Sequence, residues 1–191
     1  MPAESDATRS PSRNLAGLRN LSGTSVLLLL TPVMVPSGFF NYDKRVAKPS
    51  EVSKAHLEKT DTDPFEHLGR ALGKHHQRIR HVPYVPSVGF TETHEAFLAK
   101  ADGIIIVTCE PEPKACQSGT PEAVLSKQAD FAESVLTALD DEDRRVPVAA
   151  FHFGDQQRKP DVPDIENVWV ADKYTAEAVA QIAQLLKKSS K

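Results

Sequence analysis

The 191-residue chain has only two cysteines and one tryptophan. Cys109 and Cys116 stand in a C-x6-C spacing, which fits neither a paired zinc-ligand set nor a redox C-x-x-C, so no metal is expected and two free thiols of a reducing compartment are. Long apolar runs are absent too. The longest, Val26 to Leu30, falls far short of the ~20 residues that span a bilayer. Neither sign of charge dominates, with 23 basic against 26 acidic residues and a formal net charge of −3. No nucleic-acid or membrane partner is therefore expected. The opening Met-Pro-Ala-Glu-Ser-Asp has no basic stretch leading into an apolar one, which argues against a secretory signal and makes the cytoplasm the expected location.

Several chemical motifs are missing as well. No G-x-G-x-x-G follows the first apolar run and no G-x-x-x-x-G-K-[ST] occurs, so nothing supplies the glycine-framed amides that cradle phosphates. No G-x-S-x-G frames a serine nucleophile.

What is present is an ordinary globular composition, 40% hydrophobic and 26% charged, suited to one domain with a tail. Residues 1–23 carry scattered leucines without a sustained period and read as a flexible lead-in; residues 24–191 read as the domain. Ser25 to Thr31 is a continuous apolar run, as expected of a strand covered on both faces. Val33 to Thr62 has no period of either kind and reads as a long loop. Asp63-Pro64-Phe65-Glu66 looks like a helix start, with Phe65, Leu68 and Leu72 on one face and Gly73 at the end. Ile79 to Val85 predicts a second strand. Thr91 is positioned to cap a helix with Phe90, His94, Phe97 and Ala101 inward. Gly103 to Thr108 is the clearest strand and should be the sheet centre.

Beyond a proline-rich loop from Glu110 to Pro121, Leu125, Ala129, Ala132, Val135, Leu136 and Leu139 trace an amphipathic helix. Val146 to Phe151 and Val168 to Ala171 predict the last two strands. Thr175 caps a final helix with Ala176, Val179, Ala180, Ala183 and Leu186 inward. Strands alternating with helices specify an α/β fold, a three-layer α/β/α sandwich on a mostly parallel five-stranded sheet.

Parallel sheets bind ligands at the carboxyl ends of their strands, which directs attention to the loops after Thr31, Thr108 and Phe151. Cys109 follows the central strand, where a nucleophile could sit, with His152 as base and Asp155 as orienter. A buried thiol is the plainer account of Cys109. His75 and His76 are adjacent, so on a helix they point about 100° apart and do not share one ion with His81. His94 reads as a hydrogen-bonded core histidine. Glu92, Glu95 and Glu110 have no partner at a spacing that suggests paired acid and base, and read as surface charge.

Three segments, His94 to Thr108, Val146 to Phe151 and Asn167 to Ala178, carry a family likeness. Over residues 24–187 the chain resembles the C-terminal α/β domain of glycoside hydrolase family 3, in its β-N-acetylhexosaminidase-like branch. In that family a helix leads into an apolar strand through Ala-Asp, a long helix precedes a Pro-Val strand, and a late strand ends in a helix capped by Tyr-Thr. The family's aspartate nucleophile and His-Asp pair lie on a TIM barrel preceding this domain, for which residues 1–23 leave no room. The resemblance therefore implies a domain that carries no catalytic residue and no cofactor, and that supports a glycosidase barrel or binds carbohydrate. The contacts would come from the loops Val33 to Tyr42 and Cys109 to Gly119, through Phe39, Phe40, Tyr42, Cys109 and Glu110. A small enzyme using Cys109 and His152, or a structural protein-interaction domain, are the alternatives.

Overall fold

The computed structural model describes residues 13–39, 63–113, 120–160, 162, 165 and 168–187. Five strands form one sheet, β1 (Leu27–Pro32), β2 (Ile79–Tyr84), β3 (Gly103–Cys109), β4 (Val148–Phe153) and β5 (Val168–Ala171). Their spatial order is β2-β1-β3-β4-β5 and every pairing is parallel. Around them lie α1 (Arg13–Arg19), α2 (Glu66–Gly73), α3 (Glu92–Leu98), α4 (Pro121–Asp141) and α5 (Ala176–Leu185). The result is an α/β/α sandwich.

Alternation along the strands sorts the core into two layers. Leu27, Leu29, Ile105, Val107, Ala149 and Phe151 pack with α1, α2 and α5 on one face. Leu28, Leu30, Ile104, Ile106, Val148 and Ala150 pack with α3 and α4 on the other. Covered on both sides, β1, β3 and β4 are buried throughout, which is why they read as unbroken apolar runs. β2 lies at an edge, where it is only half buried and accommodates Pro83.

The caps expected at two helices are present. The Thr175 side chain accepts from the Ala178 N–H at 3.2 Å, and Thr91 forms a capping box with His94. The cap expected at Asp63 does not form: α2 starts at Glu66 with Phe65 as its N-cap and no side-chain cap bond, and Asp63 Oδ1 instead accepts from the Phe65 N–H at 2.9 Å in the turn before the helix.

Four further expectations need correction. Residues 13–19, read as part of a flexible lead-in, form α1, which buries Leu15 and Leu18. Two small residues let it approach the sheet: a Cβ on Gly17 would lie 2.8 Å from Pro147 Cβ, and one on Gly103 would lie 2.8 Å from both Leu18 and Leu21 side chains. The fourth strand runs from Val148 to Phe153, two residues later than expected, because Pro147 offers only its carbonyl, which accepts from the Ile104 N–H at 2.9 Å. On α3 the inward residues are His94 and Leu98, and Phe97 is exposed. On α5, Ala178 and Ile182 are buried in addition to Val179 and Ala183, Ala176 packs partly buried against the core, and Ala180, expected inward, is exposed.

Candidate functional site

The chain leaves β1 toward β2 and leaves β3 toward β4. Adjacent strands whose connections diverge in this way open a crevice at their carboxyl ends, the usual ligand site of doubly wound sheets. Here the protein's own loops close it. Pro36 and Pro111 form an antiparallel bridge, flanked by Ser37 N–H to Glu110 O at 2.9 Å and Glu112 N–H to Val35 O at 2.8 Å. The Gly38 N–H reaches Glu112 Oε2 at 3.1 Å.

Behind the bridge, the fully buried Gln128 of α4 completes the sheet. β1 and β3 pair as far as Leu30 and Ile106, and Pro32 has no N–H to continue the ladder. Gln128 Oε1 accepts from the Cys109 N–H at 2.8 Å, and its Nε2 donates to the Cys109 carbonyl at 2.9 Å. A side-chain amide thus stands in for a strand's peptide group.

The expected association of Cys109, His152 and Asp155 does not form. Thr108 pairs with His152 across β3 and β4, and Cys109 with Phe153. Successive side chains point to opposite faces, so Cys109 enters the layer with Phe153 while His152 lies on the other side of the sheet. Cys109 is fully enclosed, and burial followed by the neighbouring Glu110 charge pushes its thiol far up, away from the thiolate. His152 instead shares a hydrogen bond with Thr108, Oγ1 to Nδ1 at 3.0 Å. Its Nε2 is buried without a hydrogen-bond partner among the described residues. Burial is the largest cause holding this imidazole down at about 4, opposed by Asp155 and aided by Lys159.

Glu110, expected at the surface, is largely enclosed, with 15% of its side chain exposed. Arg158 Nε lies 3.2 Å from its Oε1, but that oxygen receives no aligned hydrogen bond. Arg158 also faces Asp155 at 3.7 Å and Glu122 at 4.0 Å. Gly154 lies between the two buried groups: a Cβ there would stand 2.5 Å from Glu110 Cγ and 2.8 Å from His152 Nε2. Any larger side chain here would force Glu110 or His152 to shift.

A second polar chain runs across the opposite face, at the carboxyl end of β1. Thr31 Oγ1 and His81 Nε2 are 2.7 Å apart, and His81 Nδ1 lies 3.2 Å from Asp63 Oδ2. Desolvation lowers the His81 pKa, with Asp63 opposing. Of the other histidines singled out, His76 Nε2 lies 2.9 Å from the Ser25 carbonyl oxygen. His94 is buried, with Nδ1 2.8 Å from Thr91 Oγ1 and Nε2 3.3 Å from the Pro83 carbonyl oxygen. His76 and His81 therefore serve separate partners, and among the described residues no group of three His, Cys, Asp or Glu side chains could hold a metal ion.

At the far edge of the sheet, Trp169 of β5 is 40% exposed. It lines a groove of about 450 Å³ between β5 and α5, with Ala171, Ala178, Ile182 and Leu185.

Comparison with protein-family models, curated proteins and solved structures finds no match to this chain.

Of the expected contact residues, Phe39 is buried, its ring 6.2 Å from that of Tyr174, so it packs within the domain. Phe40 and Tyr42 lie outside the described residues, as does Cys116. Sequence reasoning passed over Thr31, Gln128 and Trp169 as site residues. Gln128 had one available signal, a polar residue three positions after Leu125 on the inward face of a long helix. Among the described residues no helix is long and apolar enough to cross a membrane.

Proposed function

We propose that this chain is an accessory domain of the family 3 glycoside hydrolase type, which docks on a glycosidase barrel and does not itself cleave glycosidic bonds. The observation that carries this reading is the apolar groove along β5. Its lining is almost wholly hydrocarbon, and Trp169 stands exposed beside it on an edge strand. A large exposed aromatic beside an apolar hollow is the composition of an interface hot spot. Docking is favoured over stacking on sugar because Phe39, the described aromatic of the expected contact loop, is turned into the core.

The test is complex formation between the full chain and a family 3 barrel produced without its own C-terminal domain, followed by gel filtration and calorimetry. Trp169→Ala should weaken the complex by about thirtyfold, the loss typical of a central tryptophan, while leaving the melting temperature near that of the parent. Absence of a complex, or equal binding by Trp169→Ala, would overturn the reading. Because Trp169 is the only tryptophan, its fluorescence reports separately on N-acetylglucosamine oligomers. A saturable change with sugar alone would favour direct carbohydrate binding over docking.

A further inference from the structure

We propose that the groove between β5 and α5 binds a medium-chain fatty acid, its alkyl chain lying along α5 and its carboxylate at Arg19 and Lys187. At about 450 Å³ and lined almost wholly by hydrocarbon, the groove has the size and composition of a small-ligand site. Trp169 lies opposite Phe151 in the β4–β5 register, so its side chain stands on the face that α5 covers. Ala178, Ile182 and Leu185 recur along α5 as one wall, and Ala171 and Trp169 form the other. From Ala178 to Leu185 the helix rises about 10 Å, the length of an extended alkyl chain of about eight carbons. Small side chains on both walls, Ala171 and Ala178, leave a narrow channel that an unbranched chain fills.

Charge sets the class of ligand and its direction. Leu185 closes one end of the groove, and its carbonyl accepts from Arg19 Nε. Lys187 is exposed two residues beyond. Neither cation is in an ion pair among the described residues. The dipole of α5 leaves a partial negative charge at this terminus, and the Arg19 bond to Leu185 answers it. The remaining guanidinium N–H groups and the Lys187 ammonium are then left for an external anion. At the other end, beyond Ala171 and Ala178, Asp172 and Glu177 are exposed beside Lys173. The sign of the charge therefore changes along the groove, which favours an anionic head at the Leu185 end.

A fatty acid in the groove covers Trp169, so it and a docked barrel exclude each other. The two readings share a surface and fail separately, because binding of the fatty acid is measured on the chain alone.

The experiment titrates the full chain with straight-chain fatty acids of increasing length, each below its micelle concentration, and follows the fluorescence of Trp169, the only tryptophan. A saturable change is expected. Each added methylene should tighten binding by about threefold until the groove is full, at about eight to ten carbons, and longer chains should gain nothing further. Decanol, of equal chain length without the charge, should bind about tenfold more weakly than decanoate, and decyltrimethylammonium more weakly still. Arg19→Gln combined with Lys187→Gln should weaken decanoate by about tenfold and leave decanol unchanged. The comparison of head groups on the parent is free of any folding defect. No saturable change at any chain length, affinity still climbing beyond about twelve carbons, decanol or decyltrimethylammonium bound as tightly as decanoate, or parental decanoate binding by the folded double variant would each overturn the proposal.

Discussion

Acidification should destabilise this protein through His152 before its carboxylates are neutralised. An exposed imidazole titrates near 6.5, and burial holds the folded-state value near 4. Above 6.5 the ring is neutral in both states and contributes nothing to the pH dependence. Between 6.5 and about 4 the unfolded chain binds a proton that the folded chain does not, so stability falls as the pH falls. Below about 4 both states are protonated and the loss is complete. At about 1.4 kcal/mol for each pH unit, the loss from this residue is about 3 kcal/mol, a large part of the total stability of a domain of ordinary size. His81 and His94 are displaced in the same direction, so the parent alone does not isolate the effect. The assay is urea unfolding of the parent and of His152→Gln across this range, followed by Trp169 fluorescence, with midpoints compared at constant slope. The variant should lose about 3 kcal/mol less on acidification. Parallel losses in the two proteins would refute the assignment of the penalty to His152.

Two further outcomes follow from the same region. Gln128→Leu should lower the unfolding free energy by about 2–5 kcal/mol, because the Cys109 N–H and carbonyl are both left buried without their partners; a urea midpoint close to the parent's would show that another group replaces the amide. Cys109 should resist iodoacetamide in the native protein at neutral pH, since its sulfur is enclosed and its thiolate disfavoured. Alkylation of the Cys109 peptide at the rate of an unfolded control would contradict that burial.

The central strand was readable because Ile104 to Val107 is β-branched without interruption, a composition that few other environments accept. The helix caps at Thr91 and Thr175 were readable for a similar reason, since the capping oxygen and its amide are close in sequence. Pairings across the sheet were not. A two-residue displacement of β4 leaves the facing of each side chain unchanged, but it takes His152 out of a loop, where its direction would be free, and fixes it opposite Thr108. The mutual approach of Cys109 and His152 was therefore denied by pleat parity, which sequence separation does not reveal. Thr31 and His81 meet for the converse reason. Their contact depends on Leu29 lying opposite His81, a register set by the whole of β1 and β2. Helix α1 was hidden because its seven residues carry just two buried leucines, and its place depends on the close approach permitted by Gly17 and Gly103 to distant parts of the chain.

The Gln128 amide also couples a helix to the end of the sheet. A sheet ladder usually closes when two strands meet, but here the last bonds at the carboxyl end of β3 come from a helix that follows β3 in sequence. The pairing of Leu30 with Ile106 needs no helix, whereas the Cys109 peptide has its partner only where α4 lies in its observed rotation. The carboxyl end of the central strand is thereby tied to the packing of Phe131 and Val135 on the same helix, so a change that shifts α4 would be felt at the Cys109 peptide.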